Sequence, residues 1–138
     1  MKPSVTILDL LAKTPFFDKL ARLQLQHVIA HSKEWEAAPG TEISNSSKGP
    51  DNFWVLLDGG WQIEHEGRAH AAGHADAAKW YGGEVFHALR ATSRLVATET
   101  SYVMRIKIAD LDEMLKEGFA FDRHLREGLR YYEALFGS

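Results

Sequence analysis

Side chains able to hold a metal crowd into one stretch of this sequence. Glu64, His65, Glu66, His70 and His74 fall within eleven residues, with Glu84 and His87 further on. Two imidazoles and a carboxylate converging inside a β-barrel would suit iron, manganese or zinc, so a metal-dependent barrel enzyme is one reading. The spacing argues against it. His65 and His70 are five apart, His70 and His74 four apart, and no His-x-His pair occurs. Gly67-Arg68-Ala69 and Ala71-Ala72-Gly73 have the composition of a hairpin tip, which makes these surface-loop histidines. No metal site and no cofactor are expected.

Other catalytic chemistry has less to stand on. Cysteine is absent, which removes thiolate ligands, disulfides and cysteine nucleophiles together. There is no nucleophile elbow, no P-loop and no His-Glu-x-x-His, so no catalytic residue is assigned and an enzyme is not expected. A net charge of −3 offers no general attraction to phosphate backbones, which argues against direct nucleic-acid binding. Trp54, Trp61, Trp80 and Tyr81 could stack on a planar base. Core packing accounts better for Trp54 and Trp61. Trp80 and Tyr81 stand just before the glycine pair Gly82-Gly83 and are the stronger ligand candidates.

The elements that must position these groups come in three blocks, read as one domain over 1–138. In the first, 1–34, Ile7, Leu8, Leu10 and Leu11 recur at helix spacing until Thr14-Pro15 breaks the pattern. Phe16, Phe17 and Leu20 follow as a turn, and Leu23, Leu25, Val28 and Ile29 suggest a second helix to about His31. The apolar run from Ile7 is too short for a membrane span or a signal core, so a cytoplasmic protein with no membrane partner is expected.

Over 35–108, short β-compatible runs alternate with turn chemistry. Phe53-Trp54-Val55-Leu56-Leu57 is apolar throughout and reads as a strand buried on both faces. Asp58-Gly59-Gly60 is expected to turn it back as a hairpin into Trp61-Gln62-Ile63. Arg94-Leu95-Val96-Ala97-Thr98 and Tyr102-Val103-Met104-Arg105-Ile106 are expected to pair with each other across Glu99-Thr100-Ser101. The third block, 109–138, is helical again. Ala109–Leu115 forms a short helix that Gly118 ends. Phe121, Leu125, Leu129, Tyr132 and Phe136 then make one apolar stripe, which must cover its own barrel or a second copy. Tyr132 belongs to that stripe and Tyr131 is the freer ring.

Several of these features fall into a known order. Leu11-Ala12-Lys13-Thr14-Pro15-Phe16-Phe17-Asp18-Lys19-Leu20 resembles the opening L-x-x-x-P-F-F-x-x-L of cyclic-nucleotide-binding domains, the family of the catabolite activator proteins and kinase regulatory subunits. Pro39-Gly40-Thr41-Glu42-Ile43 is similar to that family's P-x-G-x-x-I. The stretch from Gly49 to Gly60 resembles its G-D-x-x-Y-x-I-x-x-G, Gly83-Glu84 its F-G-E, and Leu95–Ser101 its V-x-A-x-x-x-S. The resemblance runs from about Leu11 to Phe136. It implies a mainly β fold, a jelly-roll-like barrel (double-stranded β-helix) with N-terminal helices and a long C-terminal helix.

It also implies a site. Backbone N–H groups, an arginine and a glutamate would hold a cyclic phosphate and its ribose. Gly82-Gly83-Glu84-Val85 supplies the first half, with Glu84 accepting from a ribose hydroxyl. The second half departs from the family: Ala91-Thr92-Ser93 stands where Arg-Ser-Ala is usual, so Ala91 takes the place of the phosphate arginine. Arg90 and Arg94 flank it, Arg90 being the better substitute. Loss of a charged hydrogen bond of about 1.5–3 kcal/mol lowers affinity by about one to two decades, which argues against ordinary cAMP sensing. The expected ligand-binding set is Tyr81, Gly82, Gly83, Glu84, Val85, Arg90, Thr92, Ser93 and Tyr131. His87 and His124 are single axial candidates for haem, and nothing distinguishes one from the other.

The function expected is a cyclic-nucleotide-binding-like regulatory module whose ligand is a cyclic nucleotide or other small anion. The family's DNA-binding members carry a helix-turn-helix after the long helix; this chain stops at Ser138, so output through a partner or a homodimer on the C-terminal helix is expected. The alternative is a degenerate, ligand-free member acting as a dimerisation or interaction domain. A metal-dependent enzyme resembling the cupins, which use His-x-His followed by Glu, comes third.

Overall fold

A strand with no polar residue from Phe53 to Leu56 has to be covered on both sides. In the computed structural model, which describes residues 1–48, 52–82 and 92–137, all four side chains are buried. This strand, β4 (Asn52–Asp58), lies inside a five-stranded antiparallel sheet in the order β1-β2-β9-β4-β7. Its other members are β1 (Lys2–Ser4), β2 (Ser32–Ala37), β7 (Trp80–Gly82) and β9 (Ser101–Lys107). A four-stranded sheet in the order β3-β8-β5-β6 is built from β3 (Glu42–Asn45), β5 (Gly60–His65), β6 (Arg68–Gly73) and β8 (Arg94–Ala97). Trp61, Ile63, Leu95 and Val103 are fully buried in the core. The jelly-roll architecture is as expected, in the form of two packed sheets; among the described residues no ladder closes them into a barrel.

Two expected hairpins are instead corners between the sheets. β4 pairs with β9 and β7, whereas β5 pairs with β6 and β8, so Asp58-Gly59-Gly60 carries the chain across. Glu99-Thr100-Ser101 does the same, since β8 pairs with β3 and β5 but β9 with β2 and β4. The two corners satisfy each other's backbone. The Gly60 N–H donates to Ser101 Oγ at 3.0 Å, and the Gly60 carbonyl accepts from Thr98 N–H at 3.0 Å with Ser101 Oγ 2.8 Å away. Ser101 is fully buried. Such tertiary partners leave no trace in local turn composition.

The helical reading of 1–34 needs correction at both ends. β1 and the start of β2 are extended and pair as Lys2↔Glu36, Pro3↔Trp35 and Ser4↔Glu34. β2 is polar and takes its conformation from the β9 ladder rather than from any alternation of its own. Between them lie α1 (Leu8–Leu11), a 3-10 turn at Pro15–Phe17, and α2 (Arg22–Ala30). Phe16 and Phe17 are fully buried against the equally buried Phe121, with the Phe16 and Phe121 rings stacked at 4.8 Å.

After β9 come α3 (Ile108–Lys116) and α4 (Asp122–Phe136). Phe119 N–H to Met114 O and Gly118 N–H to Leu115 O close α3 as a Schellman motif. Helix α4 buries His124, Gly128 and Tyr132, a stripe of period four, with Leu125 and Leu129 half-buried beside it. Arg123, Arg126, Glu127, Arg130 and Glu133 form its exposed face. The apolar stripe thus covers the protein's own sheets, and a homodimer through this helix is left with a charged surface. No described helix is long and apolar enough to cross a membrane.

Candidate ligand site

Successive residues of a strand point to opposite faces, and β7 uses this to separate two environments. Trp80 is packed between β4 and α4: its ring stacks on Phe53 at 5.4 Å, and its indole N–H donates to the His124 carbonyl at 2.8 Å. A β-carbon on Gly128 would lie inside the radius of that indole, so α4 can approach this closely only with glycine there. Trp80 is therefore core, not a platform for a base.

Tyr81, next in sequence, is equally buried, but its hydroxyl meets Ser93 Oγ at 2.7 Å. Burial pushes the phenol above its usual range, and the Ser93 bond opposes that. Ser93 is itself held at the end of β3: its N–H donates to Ser46 Oγ at 2.9 Å, and its carbonyl accepts from Ser46 N–H at 3.0 Å. Gly82 closes β7 with φ +113°, and a side chain there would strike the Asn52 carbonyl across the ladder. Its glycine is explained by strand packing. Gly83, Glu84, Val85 and Arg90, with Ala91, lie outside the described residues. What the structure places is the frame on either side of them: Gly82 fixed to β4, Ser93 fixed to β3, and the two joined through Tyr81.

Past Ser93 a cavity of about 530 Å³ opens, lined by Glu64, His65, Arg68, Thr92, Ser93 and Arg94 among others. The β5–β6 hairpin turns at Glu66-Gly67, so His65 and Arg68 flank the tip as a cross-strand pair. His65 Nδ1 donates to the Thr92 carbonyl at 2.8 Å, and its ring meets Phe136 edge-on at 4.7 Å. With its side chain only 11% exposed, His65 is a packed residue rather than a loose loop histidine. A second cavity of about 700 Å³ shares His65, Glu66 and Arg68 and reaches Tyr131 and Leu135 on α4. Tyr131 is half-buried, and burial raises its phenol.

The electrostatics of this corner single out one cation. Arg94 Nε lies 2.6 Å from Glu64 and its Nη1 3.3 Å from Glu42. The Arg94 bond, joined by one from Gln62, holds the Glu64 carboxyl below its usual range. Arg94 is thus already neutralised. Arg68 is exposed, lines both cavities, and has no carboxylate partner among the described residues.

Of the expected set, Tyr81 and Ser93 are brought together, Thr92 is fixed through its carbonyl, and Tyr131 lies across the adjoining cavity. Sequence reasoning assigned His65 to a surface loop and missed Arg68 and Ser46 as parts of this corner. The hairpin-tip glycine carried a signal for His65 and Arg68, since a two-residue turn must pair its flanking residues. Among the described residues no three metal-ligating side chains come together.

No family model and no curated protein matches the chain. Solved structures do. A PKAR CBD2 domain bound to Sp-2Cl-cAMPS superposes with a TM-score of 0.68 at 15% identity, over 94% of this chain and 86% of that one. The sensor domain of the transcriptional regulator DNR from Pseudomonas aeruginosa gives 0.67 at 15% identity, over 91% and 92%. A putative cyclic nucleotide-binding protein from Geobacter metallireducens gives 0.64 at 24% identity, over 91% and 94%. At these identities the likeness shows the fold: this chain has the fold of cyclic-nucleotide-binding domains.

Proposed function

We propose that this chain is a non-catalytic, cytoplasmic ligand-sensing module that takes a small anion, of the cyclic-nucleotide class, at the corner between Gly82 and Ser93. The Tyr81–Ser93 bond carries the reading, because it pins both ends of the 83–91 stretch beside a solvent-open cavity. The stretch supplies Gly83 and Val85 as backbone donors, Glu84 as a hydroxyl acceptor and Arg90 as a cation. Tyr131 faces the ligand from α4. Arg68 at the mouth adds a charge that Arg94, already paired, does not. Of the similar structures, one holds a cyclic-nucleotide analogue and another is a putative cyclic nucleotide-binding protein, which supports this ligand class.

Calorimetry with cAMP and cGMP tests it. With Ala91 in place of an arginine, binding should be weak, and Ala91→Arg should tighten it by about 10–100-fold. Arg90→Ala should weaken it further. Absence of heat at millimolar nucleotide, in both the wild-type chain and Ala91→Arg, would overturn the proposal. That result would favour a second reading, a ligand-free interaction domain, to which the neutralised Arg94 already lends support.

A further inference from the structure

Four strands stand at the edges of the two sheets, and three of them are blunted. β1 is three residues long with Pro3 at its centre and Lys2 beside it. β7 is also three residues long and ends in the positive-φ Gly82. β3 is broken by a register shift between Glu42 and Ser44. A lysine, a proline, a bulge or shortness are the usual guards against strand-to-strand association. β6 has no lysine, proline or bulge and carries a charge only at its first residue: it is six residues, Arg68-Ala69-His70-Ala71-Ala72-Gly73, in unbroken register with β5, and Ala69 and Ala71 are exposed.

The turn fixes which backbone groups β6 turns outward. A two-residue loop makes His65↔Arg68 a hydrogen-bonded pair, as are Ile63↔His70 and Trp61↔Ala72 at every second step. The N–H and C=O of Ala69, Ala71 and Gly73 therefore point away from β5. Those of Gly73 are taken up by Asp76, through its carboxylate at 2.6 Å and its N–H at 3.1 Å. Those of Ala69 and Ala71 have no partner among the described residues.

We infer that β6 pairs antiparallel with β6 of a second copy, about a two-fold axis at His70. An isologous strand pair needs a sequence compatible with itself when reversed. Here Ala69 meets Ala71 of the second copy, His70 meets His70 on the axis, and Arg68 meets the small Ala72. Each Ala69–Ala71 pair exchanges two N–H···O bonds, and the four-stranded sheets merge into one of eight strands. No carboxylate or arginine is set against its like, and on the exposed face the residues flanking the axis are alanines. This inference uses none of the ligand reading.

Sedimentation of the wild-type chain over a wide concentration range should show a reversible monomer–dimer equilibrium. Ala71→Pro removes an outward N–H that the β5 ladder does not use, so it should abolish the dimer while far-UV circular dichroism stays unchanged. In Ala69→Lys/Ala71→Lys, lysines face each other directly and the dimer should weaken about tenfold or more; Ala69→Glu/Ala71→Lys should restore it. This pair of doubles decides the matter if the proline variant does not fold. A wild-type chain that stays monomeric at its highest soluble concentration overturns the inference. So does a dimer indifferent to all three variants, or one lost instead in Leu129→Glu on α4.

Discussion

Trp80 and Tyr81 are chain neighbours with almost identical burial, yet one is locked against a helix and the other is bonded to Ser93, which lines a cavity. On the Trp80 side the residue's own polar atoms are answered: the indole N–H by the His124 carbonyl, the Trp80 carbonyl by the Tyr132 hydroxyl. On the Tyr81 side the chain goes from a hydroxyl pair to a charged corner open to water. One pleat of one strand thus turns the Trp80 indole N–H to the α4 backbone and the Tyr81 hydroxyl to Ser93, while both rings meet Tyr132 edge-on. Substitutions on the first face should act on stability and leave ligand chemistry alone; those on the second should act on ligand binding, with a smaller cost in stability.

The largest effect is expected at Gly128. On an exposed helix, glycine to alanine stabilises by about 0.5–1 kcal/mol. Here the added methyl collides with the buried indole of Trp80, so Gly128→Ala should destabilise by about 2–4 kcal/mol in chemical denaturation. A neutral or stabilised variant would mean that α4 does not sit on β7 as described. Ser101→Ala comes next. It leaves the buried Gly60 N–H without its acceptor and should cost about 1–3 kcal/mol, by the same measurement. A loss near zero would show that the two corners do not depend on each other.

The hydroxyl pair gives a smaller and sharper test. A double-mutant cycle of Tyr81→Phe and Ser93→Ala should return a coupling of about 0.5–1.5 kcal/mol. Strict additivity would dissolve the frame around residues 83–91.

The smallest effect comes from pH. His124 is 4% exposed, its Nδ1 has no partner among the described residues, and Phe16 lies tilted over its ring. Burial first, then Lys79 and Arg123, lower its pKa from 6.5, while Asp18 and Glu127 pull the other way. The folded protein therefore prefers the neutral ring. Its stability is complete above the unfolded value of 6.5 and falls as pH drops from there towards the depressed folded value. His124→Leu should flatten stability over that window; an unchanged pH profile would assign the dependence to other groups.

How much of this was legible in the sequence follows from what each feature depends on. The apolar run of β4 and the P-F-F turn with its buried phenylalanines are local patterns and read correctly; α4 is amphipathic as read, but its buried line runs through His124, Gly128 and Tyr132 rather than Leu125 and Leu129. The corners at Asp58–Gly60 and Glu99–Ser101 look like hairpin turns because their deciding partner lies some forty residues away. β1 exists only as a strand added to β2. At the site, Tyr81, Ser93 and Tyr131 were singled out from their order along the chain. Arg94's two carboxylates come from other strands, so its neutralisation needed the sheet register. Gly128 carried no signal at all in a helix pattern that its neighbours satisfied.

The account rests on the Tyr81 face receiving a ligand while the Trp80 face does not. Hydrogen exchange followed by mass spectrometry, with and without millimolar cAMP, separates the two in a single experiment. Amides from 82 to 94 and at the β5–β6 tip should slow when nucleotide is added, while those from Gly128 to Tyr132 that hold Trp80 should keep their rate. Unaltered exchange from 82 to 94 would contradict the ligand site.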